Sequence, residues 1–203
     1  MENANFNPDE KRLLLKDYNH RLNNDLQAVL SFIKLKKRFG IDDGEIVTFS
    51  CVSIASISAI QNLMYNSDNS ENLISANEFF EEFIKILNDY YSKFNLRFFN
   101  ELKTDFYIDP KKIFHLMLLI NEMVNLSINF SFKDDSEHNI SFNLEKIGEE
   151  CLLTYSDDGS GIKETISESN MRTALFEQLV KQIDGVSQPS DANSIILIKF
   201  SCE

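Results

Sequence analysis

Glycine and proline are scarce, with 6 and 3 in 203 residues. A turn-rich β architecture is excluded by that count, because tight turns rely on those two residues. Only three cysteines occur, Cys51, Cys151 and Cys202. They form no CxxC pair, and an odd, scattered set predicts strand and core fillers in a reducing cytoplasm rather than a disulfide framework. No His, Cys, Asp and Glu residues stand at zinc-ligand spacing, so no metal site is expected. Positive charge is also short: Lys and Arg total 20 against 32 Asp and Glu, a net charge of −12. Such a field repels phosphate backbones and anionic lipid, which argues against nucleic acid and membrane surfaces as partners. Nowhere do about 18 apolar residues run together, and the N-terminus, MENANFNPDEKR, is polar. The expectation is a soluble, cytoplasmic chain without a sensor segment.

What is present suffices for a core: 43% of residues are hydrophobic and 17 are Phe. From Asp9 to Arg38 there is no Gly or Pro, and Leu15, Leu22, Leu26, Val29 and Ile33 recur at helical spacing. This predicts a long amphipathic helix capped at Gly40. A second helix is expected over 45–66, with an apolar face of Val47, Ile54, Ile57, Ile60 and Met64. Two antiparallel helices cannot bury their inner faces alone, so a homodimeric four-helix bundle is expected.

The polar stretch Ser67 to Asn72 reads as a linker, dividing a hairpin domain, 1–68, from a second domain, 73–203. In the second domain the pattern predicts helices over about 75–91, from Pro110 onward and over about 171–183. Strands are expected near 96–102, around Ile140 to Leu144, around Cys151 to Tyr155 and over 194–200. Helices covering one face of a mixed sheet give an α+β chain: a helical hairpin followed by an α/β sandwich.

His20, Asn24, Gln27 and Ser31 fall at steps of four, three and four, which forms one polar stripe beside the apolar seam of the first helix. Imidazole is a competent nucleophile near neutral pH, and its attack on phosphorus gives a phosphoramidate that is easily passed on. Around it, His20, Arg21, Asn24, Leu26 and Gln27 match the pattern HRxKNxLQ, with Asn23 in place of the lysine. The string resembles the phosphoacceptor box of the HisKA_2 and HWE-like sensor histidine kinases, and the resemblance extends over residues 10–90.

The remainder resembles the GHKL-type ATPase domain of the same kinases. Asn121, Glu122, Met123 and Val124 align with the opening of the N box, NELVxNA, and Ser156 to Ile162, SDDGSGI, with the DNGxG adenine motif. The resemblance implies that Asn121, Glu122, Asp157, Gly159 and Gly161 would hold nucleotide, if ATP is bound at all. Two departures count against it. Leu126 stands where the family's magnesium-binding asparagine falls. The stretch KETISESNMRTAL, with Asn170 and Arg172 in place of glycines and with Glu164 and Glu168, replaces the glycine-rich lid.

The expectation is therefore a histidine phosphotransferase that passes a phosphoryl group between response-regulator receiver domains through His20. Arg21, Asn24 and Gln27 would orient the ring or the phosphoryl group, and no cofactor would be required. The alternatives are an active kinase, which needs ATP and Mg2+, and a non-catalytic receiver-binding module. His115 is expected to be structural and His138 to lie in a loop.

Overall fold

The computed structural model describes residues 8–66, 73–134, 136–162, 171–188 and 194–202. The expected linker 67–72 and the lid segment 163–170 lie outside the described residues.

Helix α1 (Pro8–Arg38) ends where the sequence predicts, at Gly40, whose φ of +70° a side chain would disfavour. The Ile41 amide reaches the Lys36 carbonyl at 3.1 Å and the Gly40 amide the Lys37 carbonyl at 3.1 Å, a Schellman closure. Asp42 then caps α2 (Asp43–Asn66), accepting from the amides of Gly44 at 2.8 Å and Glu45 at 3.2 Å. These two devices reverse the chain within a few residues, so α1 and α2 run antiparallel and Lys36 meets Glu45 across the turn.

The buried face of α2 differs from the expected one. Ile57 and Ile60 are buried, but Val47 and Ile54 are 61% and 55% exposed, while Ile46, Phe49, Val52, Ser53 and Ser56 point inward. Helix α2 is apolar nearly all round, so periodicity alone does not select its packed side; the helices Ala76–Tyr91 and Pro110–Leu126 that pack on it do. The buried Ser53 and Ser56 hydroxyls satisfy themselves on the Phe49 and Val52 carbonyls, at 2.7 and 2.8 Å.

A two-residue strand β1 (Ile74–Ser75) leads into α3 (Ala76–Tyr91), where the Ser75 hydroxyl accepts from the Glu78 amide as N-cap. After a 3-10 turn (Ser92–Phe94) come β2 (Leu96–Asn100) and β3 (Tyr107–Ile108), the latter paired with β1. Helix α4 (Pro110–Leu126) starts with Asp109 as cap and Pro110 in its first turn, then widens into a π turn (Ser127–Ser131). Strands β4 (His138–Ile147) and β5 (Glu150–Asp157) form a hairpin, followed by α5 (Met171–Gln182), β6 (Val186–Gln188) and β7 (Ile195–Ser201).

The main sheet has order β2-β4-β5-β7-β6, with β2 parallel to β4 and the other pairs antiparallel. Alternate residues of β4 and β5 are buried under the helices, as period-two patterning requires. At the centre, Phe142 stacks on Phe80 and Phe98 and tilts against Tyr155. Helices α2 and α4 are long and apolar enough to cross a membrane by length and composition, but α4 is 78% buried within the fold, as a core helix is.

Cys151 and Cys202 correct the expectation of unpaired thiols, since they form a disulfide. Cys151 is paired in register with Phe200, and Cys202 lies two residues further along the same face, which brings the Cα atoms to 5.3 Å. Only the β5–β7 register reveals this juxtaposition, because the two residues are 51 apart in sequence. Cys51 is free and half-buried.

Truncation of Phe142, which anchors three aromatic neighbours, tests the core. Phe142→Ala is expected to lower unfolding free energy by about 3–5 kcal/mol in urea titration; a loss under about 1 kcal/mol would contradict this packing.

Candidate functional site

His20 projects from the middle of α1 and is exposed. Its Nδ1 lies 3.1 Å from the Asn24 amide nitrogen, one turn on. An amide N–H only donates, so Nδ1 accepts in this arrangement and the neutral ring carries its proton on Nε2. Turning the Asn24 amide over would place its oxygen on an Nδ1 proton and leave the Nε2 lone pair free. The orientation of the Asn24 amide thus sets which ring nitrogen carries the proton. Gln27 is exposed further along the same stripe, and the Ser31 hydroxyl donates to its carbonyl at 2.8 Å.

Arg21 and Asn24 also border a cleft of about 170 Å³ between α1, α2 and the first turn of α4, together with Asp25, Gln61, Lys111 and His115. Burial pushes the Asp25 carboxyl up to about 6 against the opposing pull of Arg21 and Lys111. His115, expected to be structural, forms part of this cleft: its Nδ1 sits 2.9 Å from the Lys111 carbonyl and its ring stands edge-on to Phe114. A carbonyl only accepts, so Nδ1 carries the proton, and burial holds the ring below its ordinary pKa.

The residues aligned with the N box are turned to internal contacts. Asn121 is fully buried, accepting from the Tyr91 hydroxyl at 2.7 Å and donating to the Phe49 carbonyl of α2 at 3.2 Å. Glu122, equally buried, lies 2.5 Å from the Lys36 ammonium of α1. That contact is ionic without hydrogen-bond geometry, so neither carboxylate oxygen has a hydrogen-bond partner. Lys36 also donates to Glu45 at 3.0 Å and stands 4.7 Å over the Phe49 ring. Arg172 of α5 closes the group, gripping both Glu45 oxygens at 3.0 and 2.9 Å. Asn129 adds a donor to Glu45 at 3.1 Å. Burial pushes the Glu45 carboxyl up, but the hydrogen bonds and charges of Arg172 and Lys36 outweigh it and hold the pKa below its ordinary value.

Asp157 is likewise engaged, accepting three hydrogen bonds from within the chain. One oxygen accepts from the Ser127 hydroxyl at 2.8 Å, the other from the Ser131 hydroxyl at 2.6 Å and the Gly159 amide at 3.0 Å. The Tyr155 hydroxyl lies 2.6 Å from the Ser127 hydroxyl and donates to the Met123 carbonyl at 3.2 Å. A Cβ on Gly159 would stand 2.4 Å from the Ser131 hydroxyl and 2.7 Å from its carbonyl. The glycine therefore admits the chain's own π turn, not a ligand. The Gly161 amide donates to the Ser131 hydroxyl at 2.7 Å.

These residues do not fit a magnesium nucleotide. The carboxylate that would read adenine is filled by two serines and an amide, and Asn121 and Glu122 are closed beneath the α1–α2 hairpin. No group of metal ligands occurs among the described residues. Sequence reasoning missed the roles of Lys36, Glu45, Ser127 and Ser131; only the charge of the first two hinted at a partner. His138 corrects the loop expectation. It opens β4, stacks on Phe132 at 4.2 Å, and lies between Asp134 and Asp158 at 3.2 and 3.1 Å.

A helical hairpin with an exposed mid-helix histidine, joined to a helix-covered mixed sheet, is the architecture of a histidine kinase core. Superposition bears this out. The histidine kinase domain of the blue-light activated histidine kinase EL346 of Erythrobacter litoralis matches with a TM-score of 0.63 at 14% identity, covering 92% of this chain and 94% of that one. A longer form of that kinase matches with 0.66 at 15% identity, covering 93% of this chain and 62% of that one. The histidine kinase AdeS of Acinetobacter baumannii gives 0.50 at 17% identity, covering 91% and 98%. At such identities the likeness is one of fold. No curated protein sequence matches the chain significantly. Residues 17–91 match the histidine kinase family HisKA_2.

Two outcomes follow for the buried charges. Lys36→Met, which strands the buried Glu122 carboxylate, is expected to cost about 3–5 kcal/mol in denaturant unfolding. The second concerns acid. Because the folded pKa of Glu45 lies below its unfolded value, its contribution is complete above about pH 4.5 and is lost as pH falls through the folded pKa. Glu45→Gln should therefore lose less stability than wild type between pH 5 and 3. Parallel urea midpoints across that range would show otherwise if the two fell together.

Proposed function

We propose that this protein is a histidine phosphotransferase of a two-component phosphorelay, with a hairpin domain over 1–68 and a degenerate kinase-like domain over 73–203. The observation that carries the reading is that Asp157 accepts three hydrogen bonds from the chain itself, from Ser127, Ser131 and Gly159, while His20 stays exposed with a side-chain partner. An acceptor is kept while the site that would load it from nucleotide is closed.

In the reaction, the aspartyl phosphate of one receiver domain is attacked by the lone pair of His20 Nε2. The P–N bond forms as the P–O bond to the aspartate breaks, and the carboxylate leaves. The ring proton stays on Nδ1, held by the Asn24 carbonyl after the amide has turned. Transfer to a second receiver reverses these steps. Arg21 supplies positive charge near the transferring phosphoryl group, and Gln27 offers a hydrogen bond to the docked partner. Each receiver brings the magnesium its own aspartate needs, and the protein acts in the cytoplasm.

The exposed Leu30, Val47 and Ile54, left uncovered by the sheet domain, supply the surface for a homodimeric four-helix bundle. Light scattering should then give a particle of twice the 23.5 kDa chain mass; a monomer at micromolar concentration would remove the dimer.

The test of function is transfer from a receiver domain charged with radiolabelled acetyl phosphate. Label is expected on the wild type, none on His20→Ala, and transfer slowed roughly tenfold to a hundredfold in Asn24→Ala. Label reaching His20 from ATP and magnesium would instead make the protein a kinase. Receiver binding without any label would make it a docking module.

A further inference from the structure

The cleft beside His20 is walled by Ala28, Ile60, Met64 and Phe114 and carries its polar groups along α1 and the start of α4. Its 170 Å³ exceeds the cavity of about 150 Å³ that holds benzene in an otherwise packed interior. An aliphatic side chain fits in that volume.

Three features define what else the occupant carries. Gln61 is 9% exposed, and its side-chain oxygen has no hydrogen-bond partner. A buried acceptor left in that state costs free energy until a donor arrives. Asp25 is half-buried beside it, and its raised pKa reports a carboxylate that burial disfavours. Arg21 and Lys111 put positive charge on the same cleft from α1 and α4. A simple anion would face Asp25 and leave the Gln61 oxygen unmet. A simple cation would face Arg21 and Lys111. A small molecule bearing both charges satisfies all four.

We propose that this cleft binds a free α-amino acid with an apolar side chain, its ammonium group held by Asp25 and Gln61 and its carboxylate by Arg21 and Lys111. The side chain packs on Ile60, Met64 and Phe114. Because α1, α2 and α4 all contribute, the bound molecule joins the hairpin to the sheet domain. Asn24 lines the same cleft, so the occupant adjoins the hydrogen-bond partner of the His20 ring.

Calorimetric titration of the full chain tests the proposal with three probes: L-leucine, 4-methylpentanoate, which lacks the ammonium group, and 3-methylbutylamine, which lacks the carboxylate. Leucine is expected to bind saturably, and each truncated probe at least about tenfold more weakly, the factor expected for one charged hydrogen bond. Asp25→Asn should weaken leucine by a similar factor and should not weaken 4-methylpentanoate. Gln61→Met, close in volume, should also weaken leucine and serves if the Asp25 variant does not fold. No saturable leucine binding to wild type at millimolar concentration would overturn the proposal. So would 4-methylpentanoate binding as tightly as leucine, or folded variants binding leucine as wild type does. The titration involves no phosphoryl group, so its outcome is independent of the transfer assay.

Discussion

Lys36 is buried completely between Glu45 and Glu122, and Arg172 grips Glu45 from the other side. The placement of the hairpin on the sheet domain depends on this group. Two cations and two carboxylates leave water together, a desolvation that their mutual attraction offsets only in this geometry. Hydrophobic side chains of equal volume would hold the elements at least as firmly. What the charges add is register: they join the last turn of α1, the first turn of α2, the middle of α4 and the start of α5 in one arrangement, and a slip would strand an ion. The Schellman closure at Gly40 and the Asp42 cap serve the same end, because they bring Lys36 and Glu45 together across the turn.

That arrangement has a chemical consequence. Glu122 and Asn121 belong to the stretch aligned with the N box, yet their side chains point to Lys36, Tyr91 and Phe49. Asp157 and Gly159, aligned with the adenine motif, receive the π turn instead. The residue types that a nucleotide site uses are retained, but each is spent on the chain's own side chains. A buried carboxylate must be satisfied by something, and two serines of the π turn meet that demand without a ligand. The fold is that of the histidine kinase domain it superposes on, with these side chains turned to one another.

Much of this was legible in the residues. Periodicity located α1, α3, α4 and the β4–β5 hairpin, Gly40 and Pro110 marked a stop and a start, and the stripe from His20 to Ser31 placed His20 with Asn24. The packed side of α2 was not legible, since a helix apolar on most faces leaves the choice to its neighbours. The parallel pairing of β2 with β4 was also hidden, because α4 separates the two strands in sequence. So were the Cys151–Cys202 bond and the partners of His138.

The sequence by itself determined the elements, the exposed histidine and the motifs of the family, because these depend on local spacing and on residue type. Tertiary structure alone decided what those motifs touch. Asp157 reads the same in the sequence whether adenine or Ser131 meets it, and Lys36 reads as a solvated end of a helix until Glu122 arrives from 86 residues away. Contacts between distant segments carry no local periodic signature; they follow from which faces exclude water together and which buried charges must be paired.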